Sequence, residues 1–405
     1  MVSLKPFRGT RPFNEEAKNI IAPSTDHLSE ENIQNIYDKN YWNYLKILNP
    51  VGQLKESETL LAAKNHFNEM KKKEIIKKDE KLSFYIYEIC MNKHKQLGFL
   101  ALADIDDYFS NKIRGHENTY QKRMQERADQ MINIETQIGP IYMSYPNNNT
   151  INLLLKSFTT NEPNYDFESF DQSHHRLWCI NNDSDIKKIT NILTSIESLY
   201  IADGHHRIGA MKIISQNFRK NKNNSNDFMI AAFPTNQSQI FDYNRVIKDL
   251  NGLSEKDFLE NLKLNFKISN CSKAYKPNSN KKFGMYHHGK WYSLEFIAKI
   301  NKENDILSNL DINIINNYCL IPILGIKDVN NDERIRFIAG CHGLEALEKK
   351  VDENNDSVAF SIFPSQIEDV MRVADNNLTM PPKSTWFDPK PLDGLVVYEF
   401  NQENN

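Results

Sequence analysis

Five consecutive residues, Asp203-Gly204-His205-His206-Arg207, gather a carboxylate, two imidazoles and a guanidinium into one short stretch. An apolar run precedes them and apolar residues at helical spacing follow, which predicts a turn between a strand and the start of a helix. Amides at a helix start favour an anion, and His206 and Arg207 add charge-assisted donors. Gly204 lets a ligand approach the backbone, and Asp203 suits a divalent cation or the proton of an attacking hydroxyl. The stretch therefore indicates a phosphate-binding turn, rather than an aspartate cap with histidines nearby by chance.

Zinc is not the metal that this turn predicts. Adjacent histidines seldom face one ion, and the sequence has neither an H-E-x-x-H nor a C-x-x-C pattern. We expect Mg²⁺ instead, because this ion takes one or two carboxylates together with substrate phosphates. Asp203 and Glu117 are the candidate metal-binding carboxylates.

A second polar group precedes the amphipathic stretch at 118–138. Lys112, Arg114 and His116 lead into a predicted helix whose beginning carries Glu117. Cations just before a helix start gain nothing from the helix dipole, so they indicate a second phosphate-binding position. A solvated, salt-bridged helix face explains the charge pattern equally well. Glu117 beside His116 is also a candidate catalytic acid or base.

A third group lies in "MPPKSTWFDPKP", residues 380–391. Lys383, Ser384 and Thr385 follow a Pro-Pro turn and carry groups that bind phosphate oxygens. Prolines restrict the turn in advance and so reduce the entropy lost when a ligand binds. The alternative is a rigid connection between the last helix and a final strand.

Two further residues, Asn244 and Arg245, come just after a predicted strand in "FDYNRVIKD". Asn244 is a candidate substrate contact and Arg245 a candidate phosphate ligand, although a surface arginine is the ordinary alternative. Because separate groups offer one chemistry, we expect them to line a shared cleft.

The composition limits the classes of function. The chain has 405 residues, 40% of them hydrophobic, and a net charge of −3. It therefore has no overall excess of positive charge for binding nucleic acid or anionic membranes. We find no apolar signal segment and no long uncharged apolar run, so we expect a cytoplasmic protein. The five cysteines show no paired spacing and fit reduced thiols. No G-x-x-x-x-G-K-[ST] or G-x-G-x-x-G pattern occurs.

Strand and helix patterns are mixed without strict alternation, which predicts an α+β fold with a mixed sheet. Hairpins are predicted in "KLSFYIYEICM…LGFLALADI" and "KFGMYHHGKWYSLEF", and a strand in "FMIAAFP". We expect three regions: an N-terminal α+β region at 1–150, a core with the Asp203–Arg207 turn at 151–270, and a C-terminal α+β region at 271–405.

Seven motifs together resemble, in their order, a widespread family long described as of unknown function: "FRGTRPF", "KIRGHENT", "YIADGHHRIGA", "YNRV", "PILGIKD", "RIRFIAG" and "MPPKSTWFDPK". That family is similar to the free-serine kinases, whose core resembles the ParB/sulfiredoxin fold and whose Asp-Gly-His-His-Arg turn binds phosphate. The resemblance implies a ParB/sulfiredoxin-like core here. It also implies site residues, catalytic at Asp203, His205, His206 and Arg207 and phosphate-binding at Lys383, Ser384 and Thr385. One departure is "APSTDHLS", around Thr25 and Asp26, which replaces a more usual Pro-Pro-Tyr-Asp.

The function that these features predict is phosphoryl transfer from pyrophosphate to the hydroxyl of free L-serine, with O-phospho-L-serine and phosphate as products. L-Serine and pyrophosphate are the expected partners, and Mg²⁺ the expected cofactor. Related enzymes use ADP or ATP, and a nucleotide donor is the first alternative. The second alternative is a ParB-like, nucleotide-switched DNA-binding protein, which needs a basic helix-turn-helix domain that this sequence does not supply.

Overall fold

A computed structural model describes residues 1–13, 16–23, 28–48, 56–221, 226–300, 305–329, 331–354 and 357–400. The chain divides into two compact units. Unit 1 consists of Met1–Gly115, Thr119–Ser238 and Pro389–Asn405, and unit 2 of His116–Asn118 and Gln239–Asp388. The predicted border after residue 150 therefore falls inside unit 1, and the border after residue 270 inside unit 2.

The strands of the described residues are, in chain order, β1 (Leu4–Lys5), β2 (Thr10–Pro12), β3 (Ile76–Lys78), β4 (Phe84–Met91), β5 (His94–Asp104), β6 (Ile113–Arg114), β7 (Thr136–Gln137), β8 (Ile141–Tyr145), β9 (Tyr165–Glu168), β10 (His174–Ile180), β11 (Leu199–Asp203), β12 (Asp227–Pro234), β13 (Ile240–Phe241), β14 (Tyr243–Ile247), β15 (Phe266–Cys271), β16 (Lys282–His287), β17 (Lys290–Phe296), β18 (Ile335–Ala339), β19 (Val358–Ile362), β20 (Trp386–Phe387) and β21 (Tyr398–Glu399).

The α-helices of the same residues are α1 (Ala17–Ile20), α2 (Glu30–Lys39), α3 (Leu45–Leu48), α4 (Glu56–Lys72), α5 (Ile105–Phe109), α6 (Gln121–Ile134), α7 (Asn149–Phe158), α8 (Asp183–Leu193), α9 (His205–Asn221), α10 (Glu255–Lys263), α11 (Asp311–Ile315), α12 (Glu345–Asp352) and α13 (Ile367–Asp375). None of the helices in the described ranges is long and apolar enough to cross a membrane.

Unit 1 is built on a mixed sheet whose strands follow the order β6-β11-β8-β12-β5-β4-β10-β9, with β1 along β5. β11 runs parallel to β6 and antiparallel to β8, whereas β12 runs parallel to β8. β12 is buried along its whole length, which explains why its sequence is a continuous apolar run rather than an alternating one. The antiparallel β4–β5 pair and strand β12 confirm two of the predicted elements.

The strand, turn and helix around residue 203 are confirmed as predicted. β11 ends at Asp203, α9 begins at His205, and a register shift near Asp203 interrupts the pairing of β11 with β8. α9 packs against α6, and the Met124 side chain of α6 occupies the space that a Cβ at Gly209 would take, so a larger residue there would require Met124 to move. The turn is therefore held between a buried strand and a helix that is itself covered.

Unit 2 contains an antiparallel sheet in the order β15-β17-β16-β19-β14-β18. α10 packs its buried residue Phe258 into the same core as Phe283 and Phe360 of the sheet. The β16–β17 hairpin is confirmed, and its turn has positive φ at His288 (+46°) and Gly289 (+72°), as in a type I′ hairpin turn.

Two local predictions are corrected by the structure. α6 begins at Gln121 after an extended Tyr120, so Glu117 lies outside the helix rather than at its beginning. Asn244 and Arg245 lie inside β14, between β18 and β19, rather than after a strand. Polar residues in the sequence usually mark the end of a strand, but here the folded chain supplies hydrogen-bond partners for both side chains.

Candidate phosphate-binding site

The backbone at the start of α9 is arranged as an anion-binding helix end. The Gly204 carbonyl accepts the amides of Arg207 (2.8 Å) and Ile208 (3.1 Å), so the helical hydrogen bonds begin at Gly204. Gly204 has φ +99°, which L side chains rarely adopt, and a Cβ there would come within 3.3 Å of Ile141. The first amides of a 17-residue helix and the positive end of its dipole therefore face the turn.

Asp203 is the half-exposed carboxylate of this turn. Its Oδ1 lies 3.4 Å from Nζ of Lys390, whose side chain is only 14% exposed. Sequence reasoning quoted Lys390 within a motif but did not assign it to the site, since nothing in the spacing relates it to residue 203. The pair places a cation beside the carboxylate that we predicted to act as base or metal ligand.

The two histidines of the turn face different surroundings. His205 is buried, and a Cβ at Gly115 would lie 3.2 Å from its ring. His206 is partly exposed and stacks on Tyr120, with ring centroids 6.0 Å apart and planes 9° apart. The Tyr120 amide donates to His206 Nε2 at 3.3 Å, so in the neutral ring the proton lies on Nδ1. His206 therefore has a fixed ring orientation beside the helix start.

Arg207 is held by groups of unit 1. One guanidinium nitrogen donates to Asp393 Oδ2 at 2.6 Å and the other to the Pro140 carbonyl at 2.8 Å. A Cβ at Gly139 would clash with both Asp393 and Arg207, which explains the glycine there. The structure thus gives Arg207 a supporting role in the turn, and its contact with phosphate stays a prediction.

Lys112 and Arg114 both have hydrogen-bond partners within unit 1. Lys112 Nζ donates to Asp107 Oδ1 at 2.6 Å. Arg114 donates to the Asn111 carbonyl at 3.0 Å and to the Tyr200 hydroxyl at 3.3 Å. These contacts account for two cations that the helix dipole does not explain, and their phosphate-binding role stays a prediction.

Unit 2 contains a hydrogen-bonded cluster of His116, Glu117 and Thr385, which we term the hydroxyl cluster. His116 Nε2 and Thr385 Oγ1 lie 3.1 Å apart, and the threonine hydroxyl donates to Glu117 Oε1 at 3.4 Å. Because the hydroxyl has one proton, His116 is the donor in its own bond to Thr385. His116 is buried whereas the Glu117 side chain is 38% exposed, so the chain of bonds runs outward to a carboxylate.

The residues before Thr385 present one exposed cation. Lys383 has φ +55° and is exposed, with Nζ over the Tyr243 ring at 5.5 Å from its centre. Ser384 is buried, and its hydroxyl donates to the Pro381 carbonyl at 2.5 Å. Of the three residues in this loop, Lys383 is therefore the one that presents its charged group to solvent.

Asn244 and Arg245 are both wholly buried. The Asn244 amide donates to Asp242 at 2.5 Å, and its oxygen accepts the Ile362 amide at 3.0 Å. Arg245 donates to the carbonyls of Tyr243 and Lys383, and burial lowers the pKa of its guanidinium to about 9. The cavity beside Arg245 measures about 20 Å³, which is room for about one water rather than pyrophosphate. In this conformation both residues support β14, and their ligand contacts stay predictions.

The predicted site residues are therefore divided between the two units. The turn residues from Asp203 to Arg207 lie in unit 1 with Lys390, Asp393 and Tyr120, and the hydroxyl cluster and the Lys383 loop lie in unit 2. Sequence reasoning missed Lys390, Asp393 and Tyr120. That the groups share one cleft stays a prediction, and Thr25 and Asp26 lie outside the described residues.

A family model described as "Protein of unknown function (DUF1015)" matches residues 4–313. The chain belongs to this family. The matched residues of this chain include the Asp203–Arg207 turn and end before the Lys383–Thr385 loop. A search of curated proteins found no match.

Three solved structures show distant similarity to this DUF1015 chain. SbnI with C-terminal truncation from Staphylococcus aureus is 11% identical over 73% of this chain and 85% of that chain, with a TM-score of 0.38. A free serine kinase in complex with AMP is 12% identical over 73% and 92% of the two chains, with a TM-score of 0.35. A conserved hypothetical protein from Pyrococcus furiosus is 11% identical over 73% and 94%, with a TM-score of 0.33.

Proposed function

We propose that this protein is a phosphotransferase that moves a phosphoryl group from pyrophosphate to the hydroxyl of free L-serine. The observation that carries the proposal is the start of α9, where a glycine of positive φ, a helix dipole and the fixed His206 ring occur in one turn. Such a helix end suits a phosphate group. The order of the seven sequence motifs, which resembles that of proteins similar to free-serine kinases, supports serine as the acceptor.

The proposed step needs no oxidant or reductant. The serine hydroxyl oxygen forms a bond to the terminal phosphorus while the bridging P–O bond breaks, and the bond pair leaves with inorganic phosphate. A carboxylate, Asp203 or Glu117, takes or orients the hydroxyl proton. In such reactions catalysis comes mainly from positioning and from neutralising charge on the transferring group. His206 and the helix-start amides are the groups that we propose for that role.

We propose Mg²⁺ as the ion held by one of the two candidate carboxylates, Asp203 of unit 1 or Glu117 of unit 2. The side chains of Asp203 and Glu117 are 45% and 38% exposed, so each has an oxygen within reach of solvent. Mg²⁺ usually keeps several waters and binds one or two carboxylates together with substrate phosphates. When bound, the ion supplies positive charge next to the phosphates, whereas the chain's own residues position the donor and the hydroxyl.

Pyrophosphate is the proposed donor because it is compact and highly charged. A nucleotide donor also needs an apolar slot with directed polar contacts for its base and ribose. The sequence has no recognised nucleotide pattern, while its candidate groups are cations and hydroxyls. ATP or ADP is the alternative donor for the same reaction.

The test incubates purified protein with L-serine, Mg²⁺ and one donor at a time, and measures O-phosphoserine by mass spectrometry. We expect product with pyrophosphate, and its loss in Asp203→Asn protein prepared identically, which excludes a contaminating kinase. Product with ATP or ADP alone would reverse the donor assignment and keep the kinase. Absence of product with every donor, across a panel of small hydroxylated acceptors, would contradict the proposed function.

A further inference from the structure

A second group of side chains in unit 2 has the composition of a transition-metal site. Glu255 is the first residue of α10, and His287 and His288 lie at the end of β16 and in its turn. One ligand atom from each of the three lies within 4.8 Å of the others. Among the described residues, no other three His, Cys, Asp or Glu side chains have ligand atoms close enough together to hold one ion. We term it the hairpin cluster.

The hairpin turn allows two adjacent histidines to face one position. Successive side chains of a regular strand point to opposite faces of the sheet. At His288, however, φ is +46°, and Gly289 continues the turn with φ +72°. The two imidazole rings consequently lie near each other, with centroids 4.2 Å apart. The usual objection to adjacent histidines as ligands of one ion does not apply to this backbone.

His287 is oriented as a metal ligand of defined tautomer. Its Nδ1 lies 2.9 Å from the Ser357 carbonyl, which only accepts hydrogen bonds, so Nδ1 carries the proton and Nε2 the lone pair. Phe258 of α10 packs edge-on against the buried ring, 6.4 Å between centroids. A ligating histidine ordinarily donates its other ring N–H to a carbonyl or carboxylate in this way.

Glu255 is also held in place by a neighbour. Its carboxylate lies beside the hydroxyl of buried Tyr292, whose pKa is raised by burial and by this carboxylate, and Ser254 caps the helix that carries Glu255. Glu255 is partly exposed and His288 is exposed, so an ion can reach the cluster from solvent. The arrangement combines a buried, oriented ligand with two that are open to water.

We propose that Glu255, His287 and His288 bind a divalent transition-metal ion such as Zn²⁺, with water as a further ligand. Two imidazoles and one carboxylate suit Zn²⁺ and its neighbours, whereas Mg²⁺ and Ca²⁺ prefer oxygen ligands. Ligand atoms around a tetrahedral zinc with bonds of about 2.0–2.1 Å lie about 3.3–3.4 Å apart. The cluster therefore closes on the ion by side-chain movements of about 1.5 Å or less. The bound ion ties the start of α10 to the β16–β17 turn.

The experiment uses the full chain without a polyhistidine tag, stripped of metal by a chelator. Zn²⁺ binding is measured by calorimetry and Co²⁺ binding by its visible absorption. We expect one site with nitrogen and oxygen ligands. Removing an outer-shell partner typically costs about 10–100-fold in metal affinity, so Tyr292→Phe should weaken binding by about 10-fold or more. His288→Ala and Glu255→Gln, which remove ligands, should weaken it further.

His94→Ala is the matched control, because this histidine lies in β5 of unit 1. It should bind Zn²⁺ as the unaltered chain does, and circular dichroism should show that every variant is folded. Equal affinity in the unaltered chain, His288→Ala and Glu255→Gln would overturn the proposal, as would failure of the unaltered chain to bind Zn²⁺ or Co²⁺. Neither result depends on phosphotransferase activity.

Discussion

Two pairs of adjacent histidines occur in two different turns, and their surroundings differ. At the start of α9, His205 is buried and His206 stacks on Tyr120, so the two rings have different neighbours. In the β16–β17 turn, the rings of His287 and His288 lie 4.2 Å apart and both have a nitrogen near Glu255. The His-His dipeptide of unit 1 thus has one ring, that of His206, at a helix start. The His-His dipeptide of unit 2 has both rings close to the same carboxylate, Glu255.

A third pair shows what a regular strand does with the same residues. In β10, His174 pairs with Asp166 at the surface, whereas the ring of buried His175 contacts Tyr87 and Ser173. Backbone conformation decides which histidines act together, because a strand separates neighbours and a turn of positive φ brings them together. The dipeptide alone therefore predicts neither a metal site nor an anion site.

The largest expected effect is a loss of phosphotransferase activity that distinguishes the turn at the start of α9 from the β16–β17 turn. Replacing His206 with alanine removes a donor that we propose stabilises charge on the transferring phosphoryl group. Loss of one such donor costs about 10²–10³-fold in turnover in well-studied enzymes. We expect that loss for phosphoserine formation from pyrophosphate, with Zn²⁺ affinity unchanged. The control is His288→Ala, which should lose Zn²⁺ and keep turnover; normal turnover in His206→Ala would make that residue only structural.

A comparable loss is expected for Lys383→Ala in unit 2. Its ammonium is exposed over the Tyr243 ring and is the cation that the loop presents to solvent. As one phosphate-binding donor, it should contribute up to about 10²-fold in turnover. Lys267→Ala is the matched control, because Lys267 is an exposed lysine on β15 of the same unit. Equal turnover in the two variants would remove Lys383 from the proposed site.

The local fold around residue 203 was predictable because its signals are contiguous. An apolar run, a glycine and residues at helical spacing stand next to one another, and the structure has β11, Gly204 and α9 in that order. The hairpin of β16 and β17 was predictable for the same reason, since two alternating runs flank a His-Gly turn. Short-range backbone preference suffices for such elements.

The partners of the site residues were not predictable, because they come from distant parts of the chain. Lys390 reaches Asp203 and Asp393 reaches Arg207 only after the last segment has returned to unit 1. Glu255 and His288 likewise come from elements joined by a long connection. The strand end predicted from the polar Asn244 was wrong. In the folded chain, Asp242 and the Ile362 amide hydrogen-bond the Asn244 side chain, so this polar residue lies inside β14.

A moderate effect on stability tests the support beneath the α9 turn. Arg207→Met leaves the Asp393 carboxylate, 17% exposed, without its cation, and an unsatisfied polar group costs about 1–3 kcal/mol. We expect the free energy of unfolding in urea to fall by about that amount. Arg207→Met with Asp393→Asn should recover part of the loss. Lys263→Met, which breaks an exposed pair with Glu260, should cost about 0–1 kcal/mol. Equal losses in Arg207→Met and Lys263→Met would contradict a supporting role.

The last expected effect concerns acid stability and the buried member of the β10 pair. Burial lowers the pKa of His175 from its ordinary value to about 3. Below about pH 6.5 the unfolded chain binds a proton there that the native chain does not take up until about pH 3. His175 therefore lowers the free energy of unfolding as the pH falls through this window, by at most about 1.4 kcal/mol per pH unit. Above about pH 6.5 it imposes no such loss.

Urea unfolding of the unaltered chain and of His175→Gln between pH 7 and pH 4 measures this contribution as a difference in slope. The glutamine does not titrate, so the variant should lose stability less steeply with acid, even where its absolute stability is lower. Parallel slopes for the two proteins would contradict the prediction that buried His175 resists protonation in the native chain.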